Sequence, residues 1–317
     1  LTMVTGPFAL SPEFITQEAT IVQREYDYRN VDDPLFEVGN DLARSIYDNG
    51  PFSRLVGGTP ALIAQYTQDM AAALHSQTHK LDQTILVVSG PISKAEVNNA
   101  VAALGLPDAV ASTARWPAVA PDQTIDDRQI MTIRSEAPAQ VLYRKLVKMP
   151  PCEATPAVCV EQPYLLAQIL QSSLDGGVER ALSFDNFIAS SFSIYIARLG
   201  DNWMELGFSA FPDKDVSLEA VVAAFENALI TAAEGGLTDA TIEKMKERLT
   251  KEMSLIENRP SYTQQLIAGQ IETRAEPFGY SESLAAPNAV DNKDIYDILA
   301  ALVGPGRVVV RFATPQI

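Results

Sequence analysis

Between Pro12 and Arg29 the apolar residues Ile15, Ala19, Val22 and Tyr26 recur at helical spacing and form one stripe. Ser11 can cap the free N–H groups, and Pro12 takes the first helical position, where a missing donor costs nothing. Glu13 in the first turn suits the helix macrodipole. The break Asn30-Val31-Asp32-Asp33-Pro34 ends this helix. Similar patterns predict helices over 35–47, 60–66, 68–79, 93–104, 161–173, 177–187, 216–234, 238–256 and 292–302. Three of them open on a capping residue, Thr59, Ser93 or Thr238. The continuous apolar run at 84–90 reads as a strand buried on both faces. Further strands are expected at 129–134, 139–147 and 307–312. A hairpin is expected over 190–199 and 202–211, split at Gly200-Asp201.

The order helix, short loop, strand occurs at 67–90 and again at 291–313, which suggests a duplicated α+β unit. The second copy has opening strands at 129–147, and the first has none. The segment 116–126, rich in proline and small residues, is the candidate linker. The expected division is therefore a first unit over 1–115, a linker over 116–126 and a second unit over 127–317.

Composition narrows the partners. The chain has 317 residues, 47% of them apolar, enough for one large domain or two ordinary ones. Its 40 carboxylates against 24 cations give a net charge of -16, which argues against nucleic acid and anionic membrane as partners. No apolar run is long enough to span a bilayer. Cys152 and Cys159 lie in a stretch of prolines and small residues that reads as a loop. They are either bonded, which would indicate an oxidising compartment such as a periplasm, or two free thiols. Their spacing matches no common zinc knuckle.

On the opening helix Glu18 and Glu25 are seven residues apart, so they project within about 20° of each other at the edge of the apolar stripe. Helix geometry alone favours a surface pair, bridged to Arg29 or to a lysine. Carboxylates beside a buried face otherwise need a cation opposite them.

The spacing Glu18-(six residues)-Glu25, followed by Arg29 and Asp32-Asp33-Pro34, is continued by Gly50-Pro51-Phe52-Ser53-Arg54-Leu55-Val56-Gly57-Gly58-Thr59-Pro60 and by Leu86-Val87-Val88-Ser89-Gly90. Together these segments resemble the insulinase/pitrilysin family of zinc metallopeptidases, which includes the mitochondrial processing peptidase. The resemblance runs from about Ser11 to the C-terminus. It implies an α+β fold of two similar metallopeptidase-type α/β sandwich units facing each other as a clamshell, the first truncated at its N-terminus. It also implies zinc (Zn), held by an H-x-x-E-H helix and a distant glutamate, with the motif glutamate as general base for zinc-bound water. Glu25 falls on the distant metal ligand and Glu18 on the supporting acidic residue. The implied partners are a peptide substrate and a second family subunit, or a second copy in a homodimer.

The chain departs from the family in two places. It contains no H-x-x-E-H; its only histidines are His75 and His79, four apart with no glutamate between them, and they read as a partly exposed pair. Ser183 and Ser190 stand where active single-chain members carry a substrate-holding arginine and tyrosine. The expectation is a zinc-dependent endopeptidase subunit in the parent protein, hydrolysing peptides inside a closed chamber, with this chain alone inactive and free of zinc. The alternative is a catalytically inactive partner or structural subunit of the same family. A third reading is an unrelated α+β binding protein in which Glu18 and Glu25 are ordinary helix charges. An extracytoplasmic location is expected if the cysteines are bonded, and a cytoplasmic one if they are not.

Overall fold

The structure, a computed structural model, describes residues 8–31, 33–48, 51–55, 57–80, 84, 86, 88, 90–105, 126–199, 202–255 and 278–315. The first elements in chain order are α1 (Pro12–Tyr26), α2 (Phe36–Ile46), α3 (Pro60–Ile63), α4 (Gln68–Thr78) and α5 (Lys94–Ala102). Strands β1 (Asp127–Ser135) and β2 (Gln140–Lys148) follow, then α6 (Pro156–Leu170), β3 (Ala189–Leu199) and β4 (Trp203–Pro212). The chain continues through α7 (Leu218–Thr231), α8 (Asp239–Ser254), α9 (Tyr280–Ala289), α10 (Asn292–Val303) and β5 (Arg307–Pro315). Single π-helical turns occupy Asp27–Val31, Arg180–Phe184 and Ala232–Gly236.

The chain divides into two compact units, Leu1–Asp33 with Arg54–Pro117, and Pro34–Ser53 with Ala118–Ile317. The first unit holds α1, α3, α4 and α5, and no strand among its described residues. Its helices start as their sequences predict. Ser11, Thr59, Thr67 and Ser93 each accept a hydrogen bond from a backbone N–H of the first turn, and Ser93 forms a full capping box with Glu96.

The second unit is built on one five-stranded sheet in the order β1-β5-β2-β4-β3. β1 runs parallel to β5, and the other neighbours are antiparallel. Alternation along each strand sends Val141, Tyr143, Met204, Phe208, Val308, Val310 and Phe312 to one face, where they pack in a single core with residues of α6 to α10. Phe225 of α7 anchors this layer, stacked 3.9 Å from Phe208 and edge-on to Tyr143 at 5.4 Å. The open side of edge strand β3 is partly closed by Gln171, whose Oε1 accepts from Ile194 N–H at 3.1 Å.

The opposite face carries α2. Leu42 and Ile46 bury against Leu146, Trp203 and Val309. Alternate residues of β5 reach the same side as cations. Arg311, 1% exposed, pairs with Asp41 and donates to Ser45 Oγ at 2.6 Å. Arg307 pairs with Asp48 at 2.6 Å and Asp127 at 3.0 Å. These contacts fix α2 to the second unit's sheet, so Pro34–Ser53 belongs with that unit, whereas the sequence reading keeps 1–115 together.

Other expectations are corrected. Of the strand expected at 84–90, Thr84, Leu86, Val88 and Gly90 are described and are not in a strand; Leu86 and Val88 are 48% and 46% exposed. A strand needs a hydrogen-bonded neighbour, and the described residues of this unit offer none. The alternate residues 85, 87 and 89 lie outside the described residues, as does the linker apart from Asp126. The helix expected at 177–187 is only the turn Arg180–Phe184. Gly177 is packed so tightly that a Cβ would lie 2.0 Å from Ser172 O, and Phe187 has φ +50°, which ends any helix before it. The loop expected at 149–159 ends earlier, because Pro156 opens α6 and puts Cys159 on the helix. Cys152 and Cys159 are joined in a disulfide, with Cα atoms 5.8 Å apart. Among the described residues no single helix is long and apolar enough to cross a membrane.

Candidate functional site

Helix α1 places the two glutamates. Its stripe residues Ile15, Ala19, Val22 and Tyr26 are half-buried, with Glu18 half-buried and Glu25 exposed along its edge. Beyond Tyr26 the helix widens into a π turn, which carries Arg29. Arg29 reaches back one turn, and its guanidinium lies 2.7 Å from Glu25 Oε1. Both side chains are largely solvated, 49% for Glu25 and 71% for Arg29, so the pair is worth less than about 1 kcal/mol.

Glu25 and Arg29 form the polar wall of a cavity of about 320 Å³ within the first unit. Val22, Tyr26, Leu55 and the buried Ile63 supply its apolar wall. The loop across it is shaped by Gly57 at φ +86°, whose carbonyl accepts from Tyr66 Oη at 3.0 Å. Glu18 is two turns back along the helix and does not line the cavity.

Zinc takes three or four protein ligands. Among the described residues no three His, Cys, Asp or Glu side chains converge on one point. Glu25 is a single carboxylate, and Arg29 already occupies the cationic position beside it. The described residues of this chain therefore do not by themselves make a zinc site. The rings of His75 and His79 stack at 4.6 Å and 11°, and His79 Nδ1 lies 2.9 Å from Thr78 Oγ1. Stacked rings face each other and do not aim their nitrogens at one ion. Ser183 donates to Ala189 O at 3.0 Å and Ser190 to Phe211 O at 3.4 Å, so both hydroxyls serve the local backbone.

The structure also assembles a cluster that the sequence reading did not identify, on the α2 face of the sheet. Glu205 of β4 is 5% exposed. Tyr47 Oη donates to its Oε2 and Tyr195 Oη to its Oε1, each at 2.5 Å. Arg144 Nε lies 3.4 Å from Oε1, and the guanidinium covers the Tyr195 ring at 4.9 Å. Gly207 makes room for that ring, since a Cβ there would lie 2.2 Å from it. Burial first, and then the Glu205 charge, pushes both phenols well above the ordinary tyrosine range. The cluster is a satisfied network in which the hydroxyls stay protonated and orient the carboxylate. Its signal in the sequence is a lone Glu205 inside the apolar run of β4.

No protein-family model matches the chain, and no curated protein matches it in sequence. Solved structures do. The chain is similar to a protease from Helicobacter pylori, with TM-score 0.78 and 15% identity over 98% of this chain and 74% of that one. It is similar to the periplasmic protease PqqL from Escherichia coli, with TM-score 0.72 and 12% identity over 96% of this chain and 34% of that one. It is also similar to a peptidase M16 inactive domain from Pseudomonas fluorescens, with TM-score 0.69 and 13% identity over 99% of this chain and 73% of that one. The chain thus has the fold of M16-like peptidase structures and spans about a third of PqqL. These identities bear on fold and not on activity.

Proposed function

We propose that this chain is part of a zinc-dependent endopeptidase subunit of the insulinase type, which hydrolyses peptides inside a closed chamber. Glu25 would be one zinc ligand and Glu18 the acidic residue supporting the site. The observation that carries this reading is the position of Glu25, on a cavity wall at the end of a helix with Glu18 two turns before it, in a chain with an M16-like fold. The other ligands would come from outside the sequence given, and this chain alone would hold no zinc and cleave nothing. When bound, zinc would supply activated water for attack on a peptide carbonyl. This chain's own residues would contribute the Glu25 carboxylate, once Arg29 turns away, and the apolar wall of Val22, Tyr26, Leu55 and Ile63 beside it.

The same reading takes the two units as copies of one α+β unit, the described part of the first being helical. It takes a peptide as substrate, a second family subunit or a second copy as partner, and an extracytoplasmic compartment, which the Cys152–Cys159 bond fits. The second reading is a catalytically inactive partner subunit of the same fold. It is favoured by the Glu25–Arg29 ion pair and by the serines at 183 and 190.

Zinc content and cleavage of an unfolded peptide by the full-length parent decide between the two. If Glu25 is a ligand, Glu25→Gln lowers both by more than the ~10–100-fold that changes around a metal ligand usually produce, without altering the melting transition. Glu13→Gln, in the exposed first turn, is the control and leaves both unchanged. A parent protein with neither zinc nor cleavage establishes the inactive reading. One that keeps both in the Glu25→Gln variant removes Glu25 from the site.

A further inference from the structure

The two edges of the second unit's sheet are built differently. Edge strand β3 carries a bulge between Ala189 and Ser191, and Gln171 accepts from its Ile194 N–H at 3.1 Å. Both features keep another strand from adding to an edge. Edge strand β1 has neither. Its register with β5 runs unbroken over nine residues, with no proline and no glycine. Residues 128–132 are all exposed, Ile130 at 54% and Met131 at 49%. Successive residues point to opposite faces, so both faces of the strand are bare at its centre. Among the described residues no backbone group outside β5 bonds to the backbone of β1. A long, regular edge with apolar residues at its centre is a template for another strand.

The sequence of β1 selects that strand. Arg128 pairs with Glu226 of α7, and Asp127 with Arg307. Even-numbered residues of β1 therefore face the helix layer and odd-numbered ones the α2 side. A two-fold axis normal to the sheet keeps each face on its own side, so it passes through a residue that then lies opposite itself. Two such registers centre on an exposed apolar residue. Centred on Met131, Arg128 of each copy lies opposite Arg134 of the other, and like charges directly opposite are destabilising. Centred on Ile130, Asp126 of each copy lies opposite Arg134 of the other, and Arg128 lies opposite Thr132. Asp126 and Arg134 are both exposed, and among the described residues neither has an ion pair or a hydrogen bond.

We propose that a second copy of this chain adds to β1, antiparallel and in the register centred on Ile130, so that two sheets become one across a two-fold axis. Backbone hydrogen bonds hold the strands together. The Ile130 pair, with Met131 over Gln129, supplies apolar contact, and the two Asp126–Arg134 pairs fix the register. The proposal rests on the functional reading above only in calling the second copy a partner, and its test measures association and not cleavage.

Sedimentation velocity of the whole chain finds a dimer at concentrations up to about 100 μM. Ile130→Lys sets two ammonium groups opposite each other and weakens association ~10-fold or more. Because that side chain is exposed, the variant melts where the parent monomer does. Arg134→Asp also weakens association, and Asp126→Arg in the same chain restores it, since both pairs return with reversed sign. Ile130→Cys forms a covalent dimer on mild oxidation, because residues directly opposite have Cα atoms about 4.5–5.5 Å apart. Met131→Cys does not, because its two copies are offset along the strands and lie more than about 7 Å apart. Cys152 and Cys159 are already bonded to each other and do not compete.

A chain that stays monomeric at the highest concentration overturns the proposal, whatever else the edge binds. So does a dimer that Ile130→Lys leaves intact, which would put the interface elsewhere. A covalent dimer from Met131→Cys and none from Ile130→Cys would overturn the register. Should Glu25→Gln leave zinc and cleavage of the parent protein untouched while the β1 variants still come apart, the peptidase assignment falls and the interface stands.

Discussion

Glu161 on α6 should make the stability of the second unit fall as pH rises through neutrality. The side chain is 9% exposed, and its Oε1 is buried without a hydrogen-bond partner. Burial alone pushes its carboxyl up to about 8, with no neighbouring charge contributing. In the unfolded chain the same group ionises near the ordinary glutamate value of 4.5. Between these two values the native state holds a proton that the unfolded state has released, so stability declines with pH at about 1.4 kcal/mol per unit. Over the whole window the decline has an upper bound of about 5 kcal/mol, smaller if water reaches the ionised carboxylate. The stabilising contribution is fully present below about pH 4.5 and gone above about pH 8. Glu161→Gln removes the titration and keeps the shape. Because the other carboxylates also titrate, the quantity to measure is the difference between variant and parent in urea unfolding at pH 5, 6, 7 and 8 (about one unit apart). That difference should grow with pH in favour of the variant. A difference that stays flat from pH 5 to pH 8 would mean that Glu161 is already ionised and hydrated, and the argument from burial would fail.

Two further outcomes follow from the α2 face of the sheet. Asp41→Ala leaves Arg311, 1% exposed, without its carboxylate and should destabilise by about 3 kcal/mol in urea unfolding. Hydrogen exchange should rise first in α2, while Glu252→Ala, which breaks the exposed pair with Arg248, changes stability by less than about 0.5 kcal/mol. Gly207→Ala drives a methyl into the Tyr195 ring and should cost about 1–3 kcal/mol, read as a lower melting temperature. In a Tyr195→Ala background, which itself loses the bond to Glu205, the same glycine change should cost little because the ring the methyl meets is gone, and an undiminished cost would mean that the glycine is required for another reason.

What the sequence could and could not reveal divides along the distance between partners. Caps act over three residues, so Ser11, Thr59, Ser93 and Thr238 mark helix starts that the structure keeps. The hairpin of β3 and β4 and the closing helix–strand pair α10–β5 are also local patterns, and they stand where the periodicity puts them. The run at 84–90 is just as apolar, yet Leu86 and Val88 stand half in water, because a strand is decided by a neighbouring strand that its own residues do not encode. The candidate site shows the same division. The Glu25–Arg29 contact spans one helical turn, and helix geometry already allowed it. The Glu205 cluster could not be assembled that way, since Tyr47 reaches its partner across 158 residues. Nor could the placement of α2, whose Asp41 meets Arg311 across 270 residues. What remained in the chain was a local inconsistency: a glutamate and two arginines inside strands otherwise fit for burial. Each of those charges needs an opposite charge or hydrogen-bonding groups around it if its strand is buried. Tyr47, Asp41 and Asp48, in and just after a helix that the sequence places in the first unit, meet that need. The buried charges of the second unit therefore determine where α2 belongs, although that helix is covalently continuous with the helices of the first.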